Sequence, residues 1–243
     1  MKPTAGSTYS GVIEQYHDVT GFILAARPEK IRVIGQAPIV ATNVFDMVSD
    51  GQTFRIYIPS KNKFLVGPAS LVRPSSKPIE NLRPQHVVDA LFWPEFPAGA
   101  TVLFEQFNAP PERYYILTLL RQSDGQAQPE IARKIWFDRA DLSVSRIQVY
   151  GPGGRLDSDI EYADWEPVTL DSSPGAAPNQ SAEAALRFPR TIRIWRVQDD
   201  YRLDISITKL TLNQPISDER FVLAQPPGAE LVNVGEQTPG AQP

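Results

Sequence analysis

The strongest constraint in this sequence is an alternation of apolar and polar residues with a period of two. From Tyr201 to Thr208 the residues Tyr201, Leu203, Ile205 and Ile207 alternate with Arg202, Asp204, Ser206 and Thr208. Successive side chains on a strand point to opposite faces, so this segment reads as a strand with one buried and one wet face. Thr191 to Val197, rich in Ile, Thr and Trp, precedes it across Gln198-Asp199-Asp200, which makes the two runs a hairpin. Phe54, Ile56 and Ile58 repeat the pattern against Arg55, and the turn pair Asp50-Gly51 couples Thr53 to Ile58 with Asn43 to Ser49. Gly151-Pro152-Gly153-Gly154 turns Val144 to Tyr150 back into Leu156 to Tyr162, after a further strand at Ile131 to Asp138. With Gly11 to Tyr16, Val19 to Ala26, Ile31 to Gly35, Lys63 to Gly67, Thr101 to Phe107 and Tyr114 to Arg121, about a dozen strands emerge, joined by short links typical of antiparallel sheets. The expected fold class is mainly β, with a single large, strongly curved antiparallel sheet. The 23 prolines fall mostly between these runs, where strands must end.

Only Pro84 to Trp93 reads as a helix, because Val87, Val88, Leu91 and Phe92 share a helical face and Pro84 suits a first turn. It interrupts the strands and is expected to pack across the sheet. Asp171 to Ser181 reads as a Pro/Gly/Ser loop. The length of 243 residues is within reach of one β domain, so residues 1–235 are taken as one domain and 236–243 as a flexible polar tail. Apolar residues make up 42% and charged residues 21%, enough for a sizeable core. The 24 basic and 28 acidic residues are scattered, which leaves no basic stripe for a phosphate backbone and speaks against nucleic acid. The absence of cysteine excludes disulfides, thiol nucleophiles and Cys-ligated zinc. No run reaches the roughly 18 apolar residues of a membrane helix, and Met1 to Thr8 shows no basic region followed by an apolar one.

Three segments in order, Arg27-Pro28 ending a strand, Val48-Ser49-Asp50-Gly51 opening a hairpin, and FVLAQPPGAELV from Phe221 to Val232, resemble the LolA/LolB lipoprotein carrier superfamily. The stretch FRIYIPSKNKFLVG from Phe54 to Gly67 is similar to that family's Tyr-x-Pro strand end, and the likeness extends over nearly the whole chain. The resemblance implies a half-open β-barrel, a bent antiparallel sheet whose concave face is covered by a few short helices. It implies a cavity that receives the acyl chains of lipids or lipoproteins, and it makes Arg27 the candidate gate residue, bonded to the helical roof. A family roof helix precedes the first strand, whereas here that strand begins almost at once, at Tyr9 or Ser10.

The remaining candidates were weighed against plainer readings. Leu91, Phe92 and Trp93 sit on the helix that would lie over the cavity mouth, and Phe54, Phe104, Trp136 and Trp195 are aromatics able to line it, although any β core uses such residues. His17 and His86 have no partners at metal-ligand spacing and read as surface residues. Asp46 and Asp50 share a strand face, but Asp50 reads as a turn residue and Asp46 as a solvent-facing position. The Gly151 to Gly154 turn has no following helix and is no phosphate cradle. No nucleophile, base and stabiliser can be assembled, so catalysis, metal and cofactor are all expected to be absent.

The sequence thus leads to a non-enzymatic carrier of the bacterial envelope. It is expected to hold lipid or an acylated lipoprotein as a monomer in the periplasm or at the periplasmic face of the outer membrane, and to be a lipoprotein itself if a leader is missing from this chain. A second reading keeps the same fold as an envelope lipid sensor or a module that binds an envelope protein.

Overall fold

The computed structural model describes residues 2–5, 14–15, 19–69, 81–92, 100–122, 128–168 and 186–234. Trp93, His17, the 171–181 loop and the 236–243 tail lie outside the described residues. Within the span 1–235, the packing falls into two compact units. The first comprises Met1–Pro94, Asp199–Tyr201 and Ile216–Pro243, and the second Glu95–Gln198 and Arg202–Pro215.

In the first unit, β1 (Lys2–Ala5) and β2 (Glu14–Gln15) form a short antiparallel pair. A separate sheet is built from β3 (Thr20–Ala26), β4 (Lys30–Gln36), β5 (Asn43–Ser49), β6 (Thr53–Ile58) and β7 (Lys63–Pro68), each antiparallel to the next. The register places Val33, Met47, Ile56 and Leu65 in one row across four strands, all at most 2% exposed. Helix α1 (Pro84–Leu91) packs on β4 and β5 and buries Pro84, Val87, Val88 and Ala90. Its first position is proline, which needs no donor there. Gly51 takes φ +90° in the β5–β6 turn, and Asp50 accepts from the backbone N–H groups of Gln52 and Thr53, at 2.9 and 2.8 Å, as a turn carboxylate should.

The second unit is a meander. β8 (Thr101–Ala109), β9 (Glu112–Arg121), β10 (Glu130–Asp138), β11 (Val144–Tyr150), β12 (Leu156–Pro167), β13 (Arg187–Arg196) and β14 (Tyr201–Ser206, whose first residue clusters with the first unit) lie side by side in chain order. Nearly every strand segment expected from the alternation is present, extended by one to five residues at some ends.

The chain is mainly β, as expected, but its strands form two sheets and not the single sheet anticipated. The reason lies at β7. Its outer edge is taken by β15 (Glu230–Asn233), which runs parallel to it with Leu231 opposite Phe64 and Val232 opposite Leu65. That edge is therefore unavailable to β8, the next strand in the chain, which pairs with β9 alone and leaves its other side open. Among the described residues there is one α-helix, where a few short covering helices were expected.

A second correction concerns Asp46, expected to face solvent. It is 6% exposed and grips Arg32 in a two-point bond, Nε to Oδ1 at 3.0 Å and Nη2 to Oδ2 at 2.7 Å. The 216–229 segment returns to this face of the sheet: Arg32 Nη1 donates to the Arg220 carbonyl at 3.0 Å, Lys30 reaches Asp218 at 2.8 Å, and Phe221 is buried. The segment thus covers this face of the sheet around Arg32 and Asp46, which turns an outward strand position into an inward one.

Candidate functional site

The expected site residues separate into three groups. In the first unit, Arg27 follows β3 and is exposed, and its guanidinium carbon lies 5.3 Å from the ring centroid of Phe92, the residue closing α1. A cation over an aromatic ring at this distance is attracted by the ring quadrupole, by about 0.5–1 kcal/mol where solvent has access. Leu91 and Phe92 are half-buried at that helix end. Phe54 is 1% exposed and lies beneath the Arg83 guanidinium, 4.4 Å from its ring centroid, so it fills core. His86 on α1, expected at the surface, is partly buried; its Nδ1 bonds to the Tyr201 hydroxyl and its Nε2 lies 4.0 Å from the Asp199 carboxylate.

Phe104, Trp136 and Trp195 all belong to the second unit, but the register puts them on opposite faces of its sheet. Phe104, Leu117, Ile135, Ile147, Ile160 and Ile194 form one continuous row across six strands. Exposure falls along it from 58% at Phe104, through a half-buried Leu117, to 9%, 4%, 1% and 0%. This is an apolar face, closed at β12 and β13 and open at β8 and β9. Val102 is 42% exposed beside Phe104, and Tyr115 and Phe137 are half-buried nearby.

The opposite face carries Glu105, Ile116, Trp136, Arg146, Glu161 and Arg193 in a row, with Lys134, Gln148, Asp159 and Trp195 in the next. Oppositely charged groups alternate along it. Arg146 bonds Asp159 through Nε to Oδ1 at 2.7 Å and through Nη2 to Oδ2, and Gln148 donates to the same carboxylate at 3.0 Å. The Asp159 hydrogen bond holds the Arg146 guanidinium above its ordinary pKa, against the cost of burial. Arg193 lies 3.5 Å from Glu161 and Lys134 lies 4.0 Å from Glu105. Burial, with the nearby charges of Glu112 and Asp138, raises the Tyr114 phenol and keeps it neutral. No group of three or more His, Asp or Glu among the described residues is placed to hold a metal.

Sequence reasoning missed Arg146, Asp159, Glu161 and Arg193, because their grouping exists only once three strands are in register. The alternation showed that each faces away from the apolar residues of its strand. It carried no signal of which would meet.

No family model matches the sequence, and no curated protein is similar to it. The structure is similar to a number of solved structures, of which three are described. One is a LolA superfamily protein from Nitrosomonas europaea, with a TM-score of 0.49 and 11% identity over 91% of this chain and 87% of the other. The second is a domain assigned to outer membrane lipoprotein sorting from Vibrio parahaemolyticus, at 0.49 and 9% over 90% and 86%. A DUF1329 family protein from Desulfovibrio piger matches at 0.49 and 14%, over 91% and 87%.

Proposed function

We propose that the chain is a non-enzymatic binding protein of the cell envelope that holds acyl chains of a lipid or lipoprotein against the apolar face of the β8–β14 sheet. The observation that carries this reading is the exposure gradient from Phe104 to Ile194. An apolar row whose inner end is sealed and whose outer end meets solvent offers a path from water into a greasy interior, and each methylene that follows it gains about 0.8 kcal/mol. No covalent step is required. In this reading Val102, Phe104 and Leu117 form the rim; Arg27, the gate residue by the family resemblance, lies over the Phe92 ring at the end of α1. No helix among the described residues is long and apolar enough to cross a membrane. The protein works in the periplasm or at the periplasmic face of the outer membrane.

One observation favours a second reading, a module that binds an envelope protein. β8 is nine residues long, exposed along its whole length and, among the described residues, unpaired on its outer side, and such an edge can accept a strand from a partner.

The test is transfer of a fluorescent acyl lipid between donor and acceptor vesicles, with native mass spectrometry of protein purified from cells. Acyl binding predicts co-purified lipid mass and transfer that Phe104→Asp abolishes without changing the thermal midpoint. Protein that is empty from cells and refuses added lipid would end the carrier reading and leave the strand-accepting one.

A further inference from the structure

On the polar face of the β8–β14 sheet, opposite the acyl row, lies a hollow of about 400 Å³ lined by Phe107, Tyr114, Trp136, Arg146, Glu161 and Arg193. This is within the usual range of small-molecule sites, about 300–1,000 Å³. Its aromatic wall is laid out by register. Phe107 is paired with Tyr114, their rings 6.2 Å apart and inclined by 23°, and Trp136 stands one strand further on with the Arg146 guanidinium 5.5 Å from its centroid. Aromatic side chains thus border one depression that also contains two guanidinium groups and two carboxylates.

The charges narrow what can enter. Arg146 is bound to Asp159 and Arg193 faces Glu161, so both cations already have counter-ions. Glu112, also on the lining, adds a further negative charge. A phosphate or carboxylate ligand would meet this surplus negative charge without a free cation to balance it. An ammonium ligand would have to approach two guanidinium groups of its own sign. A neutral ligand suffers neither penalty. The hydrogen-bonding groups are of both kinds: guanidinium N–H groups donate, Glu112 and Glu161 accept, and the Tyr114 hydroxyl does either. Neither that hydroxyl nor the Trp136 indole N–H makes a hydrogen bond within the described residues. The matching chemistry is a set of adjacent hydroxyls, each both donor and acceptor, on a ring whose C–H faces can lie against aromatic surface.

We propose that this hollow is a saccharide site, in which a neutral sugar unit of a glycan lies against Trp136, Tyr114 and Phe107 and is hydrogen-bonded by Arg193, Glu161 and Glu112. It stands on the face opposite the proposed acyl row and fails or holds independently of it.

The full chain is titrated with glucose and N-acetylglucosamine, as monomers and as short oligomers, with tetramethylammonium and inorganic phosphate as charged comparators. Tryptophan fluorescence and the indole N–H resonances report binding. Saturable binding of at least one neutral saccharide is expected, with a Kd in the millimolar range or tighter. Trp136→Ala and Arg193→Ala should each weaken it by about tenfold or more, a differential of about 1.4 kcal/mol. Phe104→Ala should leave it unchanged. Arg193 is half-exposed, so its replacement tests the site even if Trp136→Ala impairs folding. The proposal is overturned if no neutral saccharide saturates the signal, if only a charged comparator does, or if Arg193→Ala leaves the affinity intact.

Discussion

Asp46 shows how far one side chain's environment depends on residues distant in the chain. Its pair with Arg32 is nearly closed to solvent, with side-chain exposures of 8% and 21%. Removing one member of such a pair leaves a buried charge without its partner, so Asp46→Ala should lower unfolding free energy by about 3 kcal/mol, measured by urea denaturation. A loss no greater than that of a surface substitution would mean the pair is wet in solution. Asp141 behaves differently. Hydrogen bonds from the Ser143 hydroxyl and the Arg187 guanidinium, and from the Ser143 backbone, hold its pKa at about 2 against an ordinary 3.8. A carboxylate depressed by folding contributes stability above its ordinary pKa and loses it as pH falls through the folded value. The expected window is therefore pH 3.8 down to about 2. Asp141 and Arg187 are 40% and 39% exposed, so screening keeps the contribution below about 1 kcal/mol. Asp141→Asn should flatten the acid limb of the stability profile in that window by lowering stability above it by up to that amount, with little change below about pH 2.

Among the elements, the strands were legible because alternation states which residues are inward, and it held for β6 and β14 residue by residue. The end of α1 was less legible. Leu91 and Phe92 belong to the apolar stripe, yet Ala90 is the more deeply buried, because what α1 buries depends on the strands beneath it. β15 was not legible at all. Its first three residues, Glu230 to Val232, belong to the segment that resembles a family motif, but nothing in them says that they run parallel to β7. Their hold is mostly backbone: besides the ladder, Glu230 N–H donates to the Asn62 carbonyl and Val234 N–H to the Val66 carbonyl, both at 2.8 Å. Truncation before Glu230 should therefore uncover the β7 edge. The expected results are a lowered thermal midpoint and concentration-dependent self-association in gel filtration, since an open apolar edge recruits another chain. An unchanged monomer with an unchanged midpoint would show that β15 contributes nothing there.

At the scale of the molecule, the two-sidedness of the β8–β14 sheet accounts for what sequence could and could not reveal about the site. The aromatics were found, but Phe104 was grouped with Trp136 and Trp195, which stand on the other face. Parity along each strand was readable, whereas parity between strands awaits the register, which bulges at Trp136/Phe137 and at Val149/Tyr150 shift further. The Phe104 to Ile194 row predicts a graded response. A charge at its open end impairs lipid transfer alone, whereas Ile194→Asp, at 0% exposure, should prevent folding and be seen as loss of soluble protein. The β15 strand has one more consequence. Because the whole of β8–β14 lies between β7 and β15 in the chain, ribosomal synthesis must pass through a second sheet before the first can acquire its final strand. The strands β3–β7 therefore emerge as an unfinished structure that must wait for a partner made much later.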